Sequence, residues 1–421
     1  MTTDAPAEAK SSEAQTDFDQ TAEDSIALEY AAAYRQIGCD VEARTRAFLK
    51  SVDLDGRNDA PQTDAWTRAI LRAVSGGKRF RALCAQVGAA TALSPRLEAG
   101  QFDSRGTEVT SAYDPTDPAF ALAYARSLPG VEALGSALEQ YQSAALVHDD
   151  VIDKSATRRG APALHIELGQ DHDRGQLLGD PDVYGQDGAI LAGDLLLAAA
   201  ESSLATATSS AATGTCRPVL ARYAQMAGEV ALGQFRDMSA TYLHPDHQYA
   251  SSQTATEAAL DIVRLKAARY SVVHPAVLGA LCAEASADLV NTLETVLEPA
   301  GLAFQLRDDA LGAFGDPSVT GKPVGIDIRE GKRTVLLALA WENSSPQERA
   351  VLAQVHTGGS PDDRQIARAL GIMEARGYAP HEDLIASLGA EALDQLQRAD
   401  LTKNAKALLR YLVRLLVDRE V

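Results

Sequence analysis

Apolar residues recur at helical spacing along most of this chain. From about residue 26 onward, segments such as IALEYAAAYRQIG, VEALGSALEQYQSAALVHDDVID and AILAGDLLLAAAESSLATA alternate with short breaks. No segment has the sustained alternation of a strand, and alanine, the best helix former, is abundant. We see no repeat and no linker, so the pattern predicts an all-α fold, a large single-domain helical bundle.

Three segments depart from this helical pattern. Residues 1–24 are rich in Ala, Ser, Thr, Asp and Glu, and we expect them to form a disordered acidic tail ahead of a domain at 25–421. The stretches near 94–118 and 168–188 are rich in Gly, Pro and Asp. They predict surface loops inserted between helices.

The charge balance limits the possible partners. Fifty-eight acidic residues against 39 basic ones give a formal net charge of −19. A general nucleic-acid surface is disfavoured, because phosphate binding needs clustered Lys and Arg that outweigh nearby acids. Small basic clusters in such an acidic chain are therefore informative.

Cysteine usage and hydropathy indicate a cytoplasmic protein. The four cysteines form no CxxC pair, which suggests neither a zinc site nor a disulfide framework. The first residues lack the features of a signal peptide. No run reaches the roughly 18 apolar residues of a transmembrane helix, so we expect no such segment.

The first candidate site is the aspartate cluster HDDVID. Asp149 and Asp153 lie four residues apart, which places both carboxylates on one helix face, with Asp150 beside them. Carboxylates without Cys ligands suit Mg²⁺, which also shares substrate phosphates. Such a cluster alone also fits a solvated acidic helix end. Arg158 and Arg159 follow closely, and their guanidinium groups favour an anion site opposite the metal.

A second cluster supplies Asp308, Asp309 and Asp316, and a charged, glycine-containing stretch with Lys322 and Lys332 follows it. Two separated aspartate sets, each followed by cationic residues, predict several Mg²⁺ ions around one diphosphate. Chance explains one such set easily and two poorly.

Two further basic positions complete the pattern. The segment SGGKRFRA places Lys78, Arg79 and Arg81 after a Gly-Gly break at a predicted helix start, where backbone N–H groups favour an anion. Lys266 lies in the helical segment RLKAARY. A single helical Lys is more often a solvated side chain.

Together, these motifs resemble the trans-polyprenyl diphosphate synthases, the family of the farnesyl and geranylgeranyl diphosphate synthases. GGKRFR, LVHDDVIDKSATRRGAPALH, ILAGDLLL, the Lys266 segment, FQLRDD and GKRT follow one another in the family's order between about 30 and 340. The resemblance implies an isoprenoid synthase bundle with a central active-site cavity. It also implies a homodimer.

The resemblance implies a Mg²⁺-dependent prenyltransferase that condenses isopentenyl diphosphate with a C5, C10 or C15 allylic diphosphate. Asp149, Asp153, Asp308 and Asp309 would bind several Mg²⁺ ions, supported by Asp150. Metal ions and basic side chains would stabilise the departing pyrophosphate. Isopentenyl diphosphate would then attack the allylic carbocation.

The same resemblance assigns the remaining polar residues to the two substrates. The isopentenyl diphosphate would be held by Lys78, Arg81, Gln142 and Arg159. The allylic diphosphate would be held by Arg158, Lys266, Gln305, Lys322 and Lys332. Of these, Arg158 and Lys266 would join the aspartates in the catalytic set.

Two positions depart from the family pattern. The second motif reads DDALG, so Gly312 stands where a third aspartate is usual, and Asp316 would act only through water or not at all. The family's Lys-Thr pair is Lys266–Ala267, which loses a hydroxyl group. Both changes would weaken allylic substrate binding without removing the core metal ligands.

The residues preceding the first cluster suggest the product length. Ala145, Ala144 and Tyr141 lie four, five and eight residues before Asp149, on one face of the helix. Farnesyl-making relatives commonly carry an aromatic residue at the four- or five-back position, and the alanines here leave the tunnel open. Tyr141 would be its floor, which predicts geranylgeranyl diphosphate (C20) or a somewhat longer product, unless Tyr141 packs in the core.

Two alternatives remain. A class I terpene cyclase shares the bundle and the first motif, but it usually carries an Asn/Asp-Ser/Thr-Glu motif instead of a second DD. A non-catalytic or regulatory subunit of a heteromeric prenyl synthase would typically lose aspartates, and the departures at Gly312 and Ala267 give that hypothesis some support.

Overall fold

The computed structural model of the chain is built almost entirely from helices. It describes residues 7–52, 61–210, 214–243, 254–315, 325–357 and 361–418. The helices of the first half are α1 Ala7–Val52, α2 Pro61–Val74, α3 Phe80–Glu98, α4 Ser104–Val109, α5 Pro118–Arg126, α6 Pro129–Ile152, α7 Leu164–Arg174, α8 Pro181–Ser209 and α9 Cys216–Thr241. Between α6 and α7 lies a two-stranded antiparallel ribbon, β1 Thr157–Arg158 and β2 Ala161–Pro162.

The second half continues the bundle. Its helices are α10 Ala255–Val263, α11 His274–Cys282, α12 Ala287–Phe314, α13 Ile326–Arg329, α14 Val335–Glu342, α15 Pro346–Thr357, α16 Asp363–Met373, α17 Ala379–Arg398 and α18 Lys403–Val417. Two π-helical stretches, Arg264–Val273 and Glu374–Tyr378, join α10 to α11 and α16 to α17. The all-α fold predicted from the sequence is confirmed.

Local sequence explains where several helices begin. Asp180 precedes α8 and accepts a hydrogen bond from the Asp182 N–H, while Pro181 occupies the first helical turn. Thr254 and Glu257 form a reciprocal capping box at the start of α10. These caps satisfy N–H groups that a helix start leaves without partners.

Helix α6 occupies the centre of the bundle and carries the first aspartate cluster at its C-terminal end. It packs along α8 on one side and contacts α3 on another. Helix α3 in turn crosses α11 very closely, because Gly88 and Gly279 face each other's backbone. A Cβ at either glycine would lie 1.8 Å from a carbonyl oxygen of the other helix. The crossing therefore requires residues without side chains.

The structure corrects the loop expected near 168–188. Helix α7 continues to Arg174 and α8 begins at Pro181, so only a short connection lies between them. Leu168 is buried, and Gly185 lies so close to the His165 carbonyl that a Cβ would be 2.1 Å from its oxygen. The polar residues that suggest a loop are the exposed faces of two packed helices.

The other two predicted breaks also differ in detail. Helix α1 begins at Ala7, so residues 7–24, for which we expect disorder, are helical, whereas residues 1–6 lie outside the described part. Ala, Glu and Gln favour helix, and this segment has no Gly and no Pro after position 6. The loop expected near 94–118 is shorter, because α3 continues to Glu98 and α5 begins at Pro118, and the connection between them contains the short helix α4.

One described helix, α8, is long and apolar enough by length and composition to cross a membrane. It packs along α6 and α7, and 44% of its most apolar window is buried inside the protein. A helix in the core of a soluble protein can have the same length and apolar composition, so the observation is weak evidence for a membrane segment.

Candidate active site

The first aspartate cluster lies at the C-terminal end of α6. Asp149 and Asp150 are in the last turn, and Asp153 is the residue that follows the helix. Burial raises the pKa of Asp153 to about 6, and the charge of Asp149 adds to that shift. Burial also raises the pKa of Asp150, although Arg158 opposes the change. Carboxylates crowded in this way favour a bound cation.

The ribbon after α6 turns two arginines in different directions. Arg158 donates from Nε to Asp150 at 2.9 Å and lies 3.7 Å from Asp149. Arg159 has a positive φ and donates from Nη1 to the Ser75 carbonyl oxygen at 2.7 Å. The predicted pair is thus divided: Arg158 belongs to the aspartate cluster, and Arg159 reaches the basic loop before α3.

This basic loop, residues 75–79, is shaped by glycine and held from two sides. Gly76 and Gly77 both have positive φ, and a Cβ on Gly77 would lie 2.6 Å from Nη2 of Arg159. Tyr34 on α1 donates to the Gly77 carbonyl oxygen at 2.9 Å. Lys78 is exposed at the loop. The structure thus places Arg159 beside Lys78, residues that the sequence separates by 81 positions.

The other two predicted contacts for the second substrate meet behind this loop. Arg81 is in the first turn of α3 and lies with its guanidinium carbon 4.2 Å from the ring centre of Tyr270. Gln142 on α6 accepts a 2.6 Å hydrogen bond from the Tyr270 hydroxyl. Arg79, by contrast, is buried and donates to the Val74 carbonyl oxygen, which indicates a structural role.

Lys266 is brought to the first aspartate cluster by the π-helical stretch. Its Nζ lies 3.7 Å from Asp149 and forms an ion pair with Asp237 of α9. Burial opposes its charge, but Asp237 and Asp149 outweigh that effect and raise the pKa of Lys266. π-Helical turns occur frequently at functional sites. Lys266 is therefore not the solvated side chain that a lone helical lysine usually is.

Sequence reasoning missed two residues of α9. Gln234 donates to Asp149 at 2.8 Å, and Asp237 pairs with Lys266. The two residues are three apart on one helix, so they share a face. That spacing is a weak signal by itself, because only the fold shows that Gly233 packs on Lys266 and brings both residues to the site.

The second aspartate cluster lies near the C-terminal end of α12. Asp308 is exposed, whereas Asp309 is partly buried and accepts a hydrogen bond from Gln305 at 2.9 Å. Burial raises the pKa of Asp309, and the charge of Asp327 adds to the shift. Asp316 and Lys322, which the sequence also indicates, lie outside the described residues.

Gly312 leaves room for a carboxylate from elsewhere in the chain. A Cβ at Gly312 would lie 2.4 Å from Oδ2 of Asp327, which is in α13. The space beside the position of the usual third aspartate is therefore filled by the Asp327 side chain.

Lys332 joins the two clusters. Its Nζ lies 3.6 Å from Asp153, 3.9 Å from Asp327 and 2.6 Å from Glu330. Burial opposes its charge, but these carboxylates outweigh that effect, Asp327 most strongly, and raise the pKa of Lys332. Lys332 thus links Asp153 of the first cluster to Asp327, whose charge adds to burial in raising the pKa of Asp309 in the second cluster, although Asp153 and Asp308 are 155 residues apart in sequence.

The donor set fits a hard divalent cation that also binds phosphate. Every acidic group named above offers oxygen donors, as Mg²⁺ prefers. Within the described ranges, no three His, Cys, Asp or Glu residues are grouped closely enough to hold an ion by themselves. Phosphate oxygens of a substrate would have to supply the remaining ligands, which is usual for Mg²⁺.

The residues named for product length lie on the α6 face that leads away from Asp149. Ala144 is buried and Ala145 is partly buried. The Tyr141 ring packs edge-on against Tyr223 at 5.9 Å and Tyr270 at 5.8 Å between centroids. Three tyrosines from α6, α9 and the π-helical stretch therefore form one aromatic cluster.

Known proteins with the same sequence pattern identify the family. The model of the polyprenyl synthetase family matches residues 64–373. The geranylfarnesyl diphosphate synthase of Aeropyrum pernix is 32% identical over 317 residues, covering 72% of this chain and 89% of that protein. The chain belongs to the polyprenyl synthetase family. The polyprenyl synthetase resemblance drawn from the motifs is thereby confirmed.

Solved structures agree with this membership. A geranylgeranyl pyrophosphate synthase from Corynebacterium glutamicum, complexed with isoprenyl diphosphate and magnesium, has a TM-score of 0.74 and 32% identity. The match covers 92% of this chain and 99% of that one. A farnesyl diphosphate synthase from T. brucei shares the fold, with a TM-score of 0.69 at 20% identity. This polyprenyl synthetase is a prenyltransferase with the isoprenoid synthase fold.

Proposed function

We propose that this polyprenyl synthetase elongates allylic diphosphates with isopentenyl diphosphate in a Mg²⁺-dependent reaction. The observation that carries the proposal is that Lys332 contacts both Asp153 of the first aspartate cluster and Asp327, which lies beside Gly312 next to the second cluster. A separate basic group, comprising Lys78, Arg81 and Arg159, lies near the loop before α3. One site thus suits a metal-bound diphosphate and the other a second anion.

The side chains of the chain itself have distinct parts in this reaction. Bound Mg²⁺ would supply charge neutralisation to the leaving diphosphate. Asp149, Asp153, Asp308 and Asp309 would hold the ions, and Lys266 and Lys332 would donate to the same diphosphate. Their fixed positive charges stabilise the negative charge that develops as the C–O bond breaks.

The carbon–carbon bond then forms between the two substrates. The double bond of isopentenyl diphosphate attacks the allylic carbocation, and the resulting cation loses a proton to regenerate a double bond. The released pyrophosphate accepts that proton, so no side-chain base is required. Arg81, Gln142 and Arg159 would keep the second substrate in place through its own diphosphate.

We infer a C20 or somewhat longer product from the α6 face above Tyr141. Small residues at Ala144 and Ala145 leave space next to Asp149, and the Tyr141 ring is supported by Tyr223 and Tyr270. A ring packed on two others is a firm floor. Tyr141→Ala, incubated with isopentenyl and farnesyl diphosphates, should give longer products by chromatography after dephosphorylation. Unchanged product lengths would contradict this role.

A homodimer is the assembly that the surface of α8 favours. Val183, Ile190 and Leu191 are 53%, 45% and 58% exposed on the 29-residue helix α8. Adjacent exposed apolar side chains of this kind mark interaction sites. A second copy of the chain packed on α8 would cover them.

We also propose that the protein is located in the cytoplasm.

The decisive experiment is an assay with isopentenyl diphosphate and each of the C5, C10 and C15 allylic partners. We expect elongated products with at least one starter in Mg²⁺ and none after chelation with EDTA. Asp149→Ala/Asp153→Ala should abolish the reaction, because it removes two of the four proposed metal ligands. Absence of product with every starter would favour the non-catalytic subunit, and a cyclic hydrocarbon without isopentenyl diphosphate would favour the cyclase.

A further inference from the structure

Tyr270 lies between the residues expected to bind isopentenyl diphosphate and the floor of the product tunnel. It is in the π-helical stretch Arg264–Val273, four residues after Lys266, and its side chain is buried. One ring face carries the Arg81 guanidinium group, and the ring packs edge-on against Tyr141. Its hydroxyl group donates to Gln142. Tyr270 therefore touches three residues with proposed functions.

The hydrogen bond to Gln142 fixes the direction of an amide. A glutamine side chain has one acceptor oxygen and one donor NH₂ group, which a rotation of the amide exchanges. Tyr270 donates to Oε1 of Gln142 at 2.6 Å, so the acceptor oxygen of the amide is already used. The NH₂ group is then the part of Gln142 left to face a diphosphate oxygen, which accepts hydrogen bonds but does not donate them when fully ionised.

The contact with Arg81 fixes the plane of a guanidinium group. The Tyr270 ring supports the guanidinium carbon at 4.2 Å, and the neighbouring Ser271 hydroxyl accepts from Nη2 at 2.7 Å. The Arg81 Nε has no hydrogen-bond partner within the part of the chain that the structure describes. Arg81 is thus stacked on a ring and bonded through one N–H group, which leaves its other N–H groups available to bind an anion.

We propose that Tyr270 is a positioning residue for the isopentenyl diphosphate site, acting through Gln142 and Arg81. This inference rests on the proposed function, because it takes those two residues to bind that substrate. The allylic diphosphate has other proposed ligands, among them Lys266 and Lys332, and within the described residues the Tyr270 hydroxyl donates to Gln142 and not to either lysine. A change at the hydroxyl of Tyr270 should therefore affect one substrate and spare the other.

The test is a comparison of Tyr270→Phe with the parent chain. Phenylalanine keeps the ring under Arg81 and beside Tyr141 but removes the hydrogen bond to Gln142. We expect the KM for isopentenyl diphosphate to rise about 3- to 10-fold, the effect of one lost hydrogen bond. The KM for the allylic partner, kcat and product length should stay within about twofold. Titration calorimetry with isopentenyl diphosphate alone should give a matching loss of affinity.

A double-mutant cycle separates the proposed route from a general structural effect. In a Gln142→Ala background, Tyr270→Phe should have no further effect on the KM for isopentenyl diphosphate, because its partner is already absent. Tyr30→Phe is the matched control, since Tyr30 is also a buried tyrosine whose hydroxyl has no partner among the described residues, and its ring packs on Tyr411 and not on the proposed site. It should leave that KM unchanged.

The possible failures are distinguishable. Equal increases of both KM values, or additive effects in the Gln142→Ala background, would overturn the positioning role and leave the proposed reaction intact. An unchanged KM for isopentenyl diphosphate in Tyr270→Phe would do the same. A parent chain that makes no elongated product with any starter would instead overturn the proposed function. The calorimetric measurement does not require turnover, so it tests the positioning role separately.

Discussion

Lys332 illustrates how one side chain connects parts of the site that lie far apart in sequence. Its ammonium group contacts Asp153 after α6 and Glu330 and Asp327 near α13. Three acidic groups around one cation would repel one another strongly if that charge were removed. Lys332 therefore holds Asp153 of the first cluster close to Asp327, the carboxylate beside Gly312, before any ligand is bound.

The exchange at Gly312 leads to a prediction at the same scale. Gly312→Asp restores the family's usual third aspartate, but its Cβ would collide with Asp327, 2.4 Å away, and add a third carboxylate near Asp309. We expect kcat/KM to fall about tenfold, or about 1.4 kcal/mol. Steady-state kinetics across a Mg²⁺ series would measure the change.

Two companion variants test the explanation for Gly312. Gly312→Ala introduces the same Cβ without the charge, so it should lose less activity than Gly312→Asp. Removal of the opposing carboxylate in Gly312→Asp/Asp327→Ala should recover part of the loss, since the cluster then keeps one carboxylate at that place. An active Gly312→Asp single variant, equal to the parent, would mean that Asp327 does not occupy the position of the missing aspartate.

At the scale of elements, the crossing of α3 and α11 fixes the basic groups relative to the aspartates. Helix α3 carries Arg81, and α11 continues directly from the π-helical stretch with Lys266 and Tyr270. A Cβ at Gly279 would lie 1.8 Å from the Ala85 carbonyl oxygen, a contact that backbone atoms cannot relieve locally. Separation of these two helices would therefore displace both diphosphate sites.

We expect Gly279→Ala to lower the free energy of unfolding by about 3 kcal/mol, at the upper end for overpacked cores. Urea denaturation monitored by circular dichroism would measure the change. Gly228→Ala is the matched control, because Gly228 is also helical and a Cβ there meets nothing within 4 Å. It should stabilise the chain by up to about 1 kcal/mol. Equal effects of the two substitutions would contradict the close crossing.

The sequence predicts these elements better than it predicts their contacts. Helical periodicity and the motif residues are local, so the α6 cluster and the start of α3 follow from neighbouring residues. The family resemblance implies the division of Arg158 and Arg159 between two sites, but helical periodicity does not, because the division depends on a two-residue ribbon that has no periodic signal. Asp237 was missed because its role exists only beside Lys266. The stretch 168–188 was misread because polar residues on exposed helix faces resemble a loop.

At the scale of the whole molecule, net charge and site charge oppose each other. A formal charge of −19 repels diphosphate substrates at long range. Lys78 and Arg159 are exposed, whereas Lys266 and Lys332 are partly buried among specific acids. Such charges act at short range, and bound Mg²⁺ would add to them. Substrate capture should therefore strengthen with added Mg²⁺ more than with Na⁺ at equal ionic strength.

The stability of the whole bundle should depend on pH through buried histidine. His381 is fully buried beside Arg307, and burial, with the arginine charge, lowers its pKa to about 4. In the unfolded chain, His381 takes up a proton near pH 6.5, whereas in the folded chain it does so only near pH 4. The contribution of His381 to the free energy of unfolding is therefore fully present above pH 6.5 and is lost as the pH falls toward 4. The cost reaches about 1.4 kcal/mol per pH unit for one proton. Urea denaturation at pH 7 and pH 5 should therefore give a smaller loss for His381→Gln than for the parent, by roughly one proton's contribution. Identical losses would mean that the pKa of His381 is the same in the folded and the unfolded chain, which its burial beside the Arg307 guanidinium group opposes.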